Sequence, residues 1–281
     1  MLPRLRRPVD PKYEDGSLML HSKTSQSHLR EVNKLQPPLC QPTFAKMSFT
    51  LPLIEDSPKR VRAFFSAKYI VDSTQAKLVW EKPYHPAYFF LEEEMPKEYL
   101  ELQESDSYKE VYDVVVGHRR APAAVTCYLS KSKNLAGLFT IKFGAMDAWF
   151  EEEDQIYVHV RDPYKRVDIR QSSRHVRVEI QGVEVANTHM PRFLYETGLR
   201  VRTYIPKPHC RLEYFEPSKL VTECAYKGEA KFYHVQIPSH REDDIAWWYR
   251  NPTPGCGEIR GFVAFADERV DMWVDGEKQE H

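Results

Sequence analysis

The chain has 281 residues, 40 of them basic and 41 acidic, for a net charge of −1. That length accommodates one large domain or two ordinary ones, and the balanced charge excludes the field of a dedicated nucleic-acid binder. Twenty prolines against 11 glycines, with 16 tyrosines and 14 phenylalanines, favour strands and turns over helix bundles. No apolar run nears the roughly 20 residues of a membrane span, and the start MLPRLRRPVDPKYEDG lacks the apolar middle of a secretory signal. The expectation is a soluble, cytoplasmic protein with neither membrane nor nucleic acid as partner. Cys40, Cys127, Cys210, Cys224 and Cys256 form an odd set without a C-x-x-C pair. This argues against a disulfide framework and a four-sulfur zinc site.

Residues 1–57 show no sustained period of 2 or 3.6 and read as a disordered tail. Within it, Met47 opens MSFTLPLIEDSPKR, which would serve as a start just ahead of the ordered part.

From Lys59 an internal repeat begins. KRVRAFFSAKYIVDSTQAKLVWE (59–81) lies over RHVRVEIQGVEVANTHMPRFLYE (174–196) at a constant shift of 115, with Val61/Val176, Arg62/Arg177 and Glu81/Glu196 identical. GLFTIKFGAMDAWF (137–150) lies over GFVAFADERVDMWV (261–274) at a shift of 124. The second copy therefore has nine extra residues between the blocks, expected in a loop around Pro238–Asp244. Val176, Val178 and Ile180 alternate with Arg177 and Glu179, a strand with one apolar face. Ser66-Ala67 and Gln181-Gly182 fall where tight hairpin turns belong. Further strands are expected at Arg192–Tyr195, Val201–Ile205, Arg211–Phe215, Leu220–Cys224, Lys231–Ile237, Ala246–Tyr249, Ile259–Phe265 and Val270–Val274. The fold class is all-β, with a first domain over 58–170, a second over 171–281, and a proline- and charge-rich spacer over 161–173.

The second copy resembles the domain of unknown function 427 family, also labelled as nucleotidyltransferases. The resemblance rests on Leu194-Tyr195-Glu196-Thr197-Gly198 with Tyr204, and on Thr222-Glu223-Cys224-Ala225-Tyr226-Lys227-Gly228-Glu229-Ala230 with Tyr233. It continues through Ala246-Trp247-Trp248-Tyr249 and Gly261-Phe262-Val263-Ala264-Phe265. The first copy matches at its ends but lacks the C-x-x-K-G-x-A block. The resemblance implies a β-tent, hence two tandem β-tent-like domains. Zinc does not carry over from related zinc-bearing modules, because the paired C-x-x-C motifs are missing.

Lys227 beside Gly228 can approach a phosphate or carboxylate, since glycine leaves the backbone uncovered; its bland reading is a solvated turn lysine. Glu196 is either a general base or a hydrogen-bond anchor for a turn. Tyr204, Tyr233 and Trp247 can wall a pocket for a flat ligand, although aromatics at strand spacing are more often core. Cys224 can line that pocket, or act as a nucleophile only if a histidine stands beside it. Nucleotidyl transfer needs clustered carboxylates on magnesium, and Glu242-Asp243-Asp244 is the one compact acidic group near the block. No cofactor is therefore expected, and magnesium only if that transfer is real.

Two functions follow. One is a small-molecule-binding protein, extending to an enzyme on a small anionic or nucleotide-like metabolite, with Lys227 neutralising charge and Glu196 moving a proton. The other is a non-enzymatic ligand- or protein-interaction module. A shared cleft for Glu196 and Lys227 is what the enzyme requires. The sequence identifies no protein partner.

Overall fold

Alternation decides the strands. Val176, Val178 and Ile180 are buried, while Arg177 and Glu179 between them are half-buried. The computed structural model describes residues 50–280. Its first half forms β1 (Leu53–Asp56), β2 (Val61–Phe65), β3 (Lys68–Ser73), β4 (Lys77–Trp80), β5 (Ala87–Leu91), β6 (Leu100–Ser105), β7 (Lys109–Val116), β8 (Arg119–Tyr128), β9 (Leu138–Ile141), β10 (Ala148–Glu151) and β11 (Asp154–Ile156). The second half forms β12 (Val167–Gln171), β13 (Val176–Ile180), β14 (Val183–Thr188), β15 (Arg192–Glu196), β16 (Arg202–Pro206), β17 (Phe215–Cys224), β18 (Gly228–Ile237), β19 (His240–Tyr249), β20 (Phe262–Phe265), β21 (Asp271–Val274) and β22 (Glu277–Lys278). Among the described residues, helix is confined to short 3-10 turns. No helix among the described residues is long and apolar enough to cross a membrane.

Each half is a seven-stranded antiparallel sheet with a four-stranded one. The orders are β1-β4-β5-β9-β8-β7-β6 and β11-β10-β2-β3, then β12-β15-β16-β20-β19-β18-β17 and β14-β13-β21-β22. Every strand of the first half has its counterpart eleven places later in the second, so the duplication read from the sequence is a duplication of topology. Both hairpin turns lie where expected. Ser66, Ala67, Gln181 and Gly182 all have positive φ.

Each half also has two apolar layers. The main core gathers Val61, Phe90, Phe139 and Trp149 in the first half, and Val176, Ile205, Val235 and Phe265 in the second. A smaller layer sits on the other face of the large sheet. It holds Val79, Phe89, Leu135 and Leu138 in the first half, and Leu194, Tyr204, Tyr249, Cys256 and Ile259 in the second.

The structure corrects the sequence reading in four places. Leu53–Asp56, assigned to the tail over 1–57, pairs with β4 from Leu53↔Trp80 to Asp56↔Lys77; residues 1–49, including Met47, lie outside those described. The spacer over 161–173 contains β12, paired with β15 through Ile169↔Leu194. Its short apolar alternation, Val167 and Ile169 around Asp168, was masked by flanking charges. Leu212–Tyr214 form a 3-10 turn rather than the centre of a strand.

The fourth correction concerns the nine extra residues. Pro238-Ser239 is a tight turn, and Glu242-Asp243-Asp244 lie within β19. Leu102 pairs with Tyr112, ten positions on, whereas its counterpart Pro217 pairs with Tyr233, sixteen positions on. Six residues thus lengthen the β17–β18 hairpin. Thr126 pairs with Thr140 and Trp247 with Ala264, separations of 14 and 17. The other three therefore follow β19, ahead of the 3-10 turn Pro254–Ile259.

One irregularity is shared. The β7–β8 ladder shifts register between Tyr112 and Val114, and the β18–β19 ladder between Tyr233 and Val235. Ala123 (φ 47°) and Asp244 (φ 52°) are the left-handed residues at these bulges. The Ala123 amide donates to Asp113 Oδ1 at 2.7 Å, and the Asp244 amide donates to His234 Nδ1 at 3.2 Å.

Candidate functional site

The lengthened hairpin carries the C-x-x-K-G-x-A block at its end. Cys224 pairs with Gly228, leaving Ala225, Tyr226 and Lys227 as a three-residue tip. Gly228 is required twice over. Its φ is +97°, and a Cβ there would meet the Asn251 carbonyl oxygen at 3.2 Å. That carbonyl belongs to the other insertion, and the two insertions pack on each other. The Thr253 amide donates to the Lys227 carbonyl at 3.1 Å, and the Thr253 hydroxyl donates to the Tyr226 carbonyl. Ala225 and Ala230 are buried, and Ala230 adds to the small apolar layer.

Lys227 then reaches back to β15. Its Nζ donates to Glu196 Oε2, while Lys165 Nζ lies 3.2 Å from Glu196 Oε1. Glu196 is 7% exposed, so a single carboxylate holds two ammonium groups in a largely dry place. Burial by itself would raise the Glu196 carboxyl. Lys227 and then Lys165 outweigh it and hold the group below the ordinary glutamate value. Burial likewise opposes the charge on Lys227, but Cys224 and Glu196 outweigh it and hold the ammonium above the ordinary lysine value.

Around this ion triad stand Tyr204 and Cys224, close enough to Lys227 to couple with it electrostatically, and Trp247, which packs against the small layer that holds Tyr204. Burial pushes the Tyr204 phenol up to about 12. Five of the six residues singled out in the sequence are therefore neighbours: Glu196, Tyr204, Cys224, Lys227 and Trp247. The sixth, Tyr233, is not. It packs against Phe215 and Trp248 on the main-core side. Strand alternation explains the separation, since Phe232 rather than Tyr233 shares the small layer with Tyr204. Neither His209 nor His234 pairs with Cys224. His209 binds the Thr188 hydroxyl, and His234 serves the bulge.

The tip also grips the segment between the repeats. Arg161 Nε donates to the Ala225 carbonyl at 2.7 Å, and the Tyr226 hydroxyl accepts the Asp162 amide at 2.8 Å. From the first half, Trp80 Nε1 donates to Asp162 Oδ2 at 3.1 Å, and the Tyr164 hydroxyl donates to Glu55 at 2.8 Å. The His85 and His159 rings stack at 4.5 Å. Lys165, Arg161 and Asp162 were missed because the segment read as a spacer. Tyr249, buried among Tyr204, Cys224, Glu196 and Cys256, was visible only as part of the family motif.

The triad lines neither of the two depressions described on the surface. One, of about 610 Å³, is lined by residues including Phe65, Arg119, Lys142 and Met146; the other, of about 500 Å³, by Glu229, Lys231, Arg250 and Asn251. The acidic run near the block is occupied. Glu242 is paired with His240 and Arg269, Asp243 with Arg241 and His234, and Asp244 accepts from Ser218. These partners do not suit magnesium, which would have to displace each of them.

No curated protein matches the chain significantly. The family model described as domain of unknown function (DUF427) matches it twice, over residues 53–152 and 168–276. Each match falls on one half of the duplicated topology, the first included despite its missing lysine block. The chain belongs to the domain of unknown function 427 family and carries that domain in two tandem copies.

Proposed function

We propose that the chain is a non-enzymatic binding module whose second repeat takes a small anionic ligand at the junction of hairpin tip and inter-repeat segment. The observation that carries this reading is the ion triad. General acid–base groups work best with pKa values near the operating pH, whereas here the carboxyl is held low and the ammonium high. Glu196 has both oxygens occupied and is a weak base, and Lys227 stays protonated and is no nucleophile. What the triad offers is charge. Lys165 and Lys227 exceed Glu196 by one positive charge, and Arg161 holds the Ala225 carbonyl at the same hairpin tip. A carboxylate or phosphate is the ligand chemistry such an excess favours.

The test is thermal shift of the full chain against inorganic phosphate, nucleotides and common carboxylates, with and without magnesium. Lys165→Gln removes the excess charge while leaving the Glu196–Lys227 pair. A ligand at about 100 times its Kd adds roughly 2.7 kcal/mol, several degrees for repeats of this size. The expected result is a shift with one class of anion that disappears in Lys165→Gln. A shift that persists in the variant, or no shift with any anion, overturns the site. Magnesium-dependent turnover of a nucleotide overturns the non-enzymatic reading.

A further inference from the structure

A second lysine lies in different surroundings, on the side of the large sheet where Tyr233 was found. Lys207 follows β16 in a 3-10 turn, and its Nζ sits 2.9 Å from the centroid of the Trp248 ring and 5.3 Å from that of Tyr233. It donates to the Tyr233 hydroxyl at 3.0 Å, and the Tyr233 and Trp248 rings stack at 6.2 Å with planes 14° apart. Among the described residues no carboxylate pairs with Lys207, in contrast to Lys227. All three side chains are half-buried, so the amine is sheltered but reachable from solvent.

We propose that Lys207 is a reactive amine that captures a small carbonyl compound as an imine, with the Trp248 ring as its wall and the Tyr233 hydroxyl as its proton relay. The neutral Nζ adds its lone pair to the carbonyl carbon, and a C=N bond replaces C=O. The oxygen leaves as water with the two N–H protons, one passed through Tyr233. Hydrolysis reverses the step, so no oxidant or reductant is consumed. Burial without a counter-charge pushes Lys207 down to about 8, and the ring faces return only part of this by favouring the ammonium. An appreciable neutral fraction at mildly alkaline pH is what imine formation needs. This site is independent of the ion triad, and its failure would leave the anion reading untouched.

The test is reductive trapping of the full chain with benzaldehyde and cyanoborohydride at pH 8, read lysine by lysine by mass spectrometry. Exposed Lys142 and Lys219 serve as internal references, and Lys207→Gln identifies the modified peptide. Lys207 is expected to react at least about tenfold faster than either reference, since burial raises its neutral fraction at pH 8 far more than it lowers nucleophilicity. That lead is expected to vanish when the chain is unfolded in urea. Labelling of Lys207 no faster than the references, or a lead that survives unfolding, overturns the assignment.

Discussion

Glu81 and Glu196 occupy the same place in the two repeats and live in opposite environments. Glu81 is exposed and accepts one hydrogen bond, from the Tyr128 hydroxyl at 2.9 Å. Glu196 is buried between two lysines. The strands correspond one for one, although Glu196 closes β15 opposite Val167 while Glu81 lies one residue past the end of β4. The difference comes from the lengthened hairpin, which delivers Lys227, and from the inter-repeat segment, which delivers Lys165. A duplicated acid is thus a solvated residue in one copy and the centre of a buried ionic cluster in the other. A position acquires its chemistry from the segment laid over it as much as from its own strand.

The largest effect is expected from the acid itself. Glu196→Ala leaves two half-buried ammonium groups without their shared counter-charge and should cost about 3 kcal/mol. Glu81→Ala loses one exposed hydrogen bond and should cost about 1 kcal/mol or less. Denaturant melts of the two variants check the contrast, and equal losses would break it.

The glycine of the block gives a smaller contrast. Gly228→Ala forces a Cβ toward Asn251 as well as a strained φ, and should cost about 2–3 kcal/mol. Gly117, in the β7–β8 turn of the first repeat, also has positive φ (61°) but open space around its Cβ position. Its replacement by alanine should cost only the backbone strain, about 1 kcal/mol. Thermal melts at one pH suffice for this comparison.

The smallest effect is in pH dependence. Glu196 is held below the ordinary value of 4.5, so its stabilisation is complete above that pH. It is lost as pH falls through the folded-state value, because the unfolded chain binds the proton first. The acid limb of a Tm–pH curve should be shallower for Lys227→Met than for the native chain. The corresponding exposed lysine change Lys82→Met, beside Glu81, should leave that limb in place.

Much of the fold was legible because strand alternation and tight turns are local. Val176-Arg177-Val178-Glu179-Ile180 and the turn at Gln181-Gly182 state their structure within seven residues. The repeat was legible because a constant shift survives divergence. The position of the insertion was not, since it follows from pairings such as Pro217↔Tyr233 that no local pattern encodes. The candidate site was read in part. Glu196, Tyr204, Cys224, Lys227 and Trp247 sit in quoted motifs and do converge. Tyr233 went to the other side of the sheet because it is one residue out of step with Ala230 and Phe232, and a quoted motif does not say which face each of its residues takes. Lys165 was invisible because its contact with Glu196 crosses from a stretch whose charges hid a strand.

The paired bulges have a consequence for anyone building on this scaffold. Asp113 and His234 are chemically unlike, as are Ala123 and Asp244, yet both pairs hold the same kink in the same ladder. The kink is therefore the inherited specification, and the side chain that caps it is an interchangeable part. A chimera that swaps the β7–β8 and β18–β19 ladders between repeats should respect the left-handed residue first, and can then vary the cap freely.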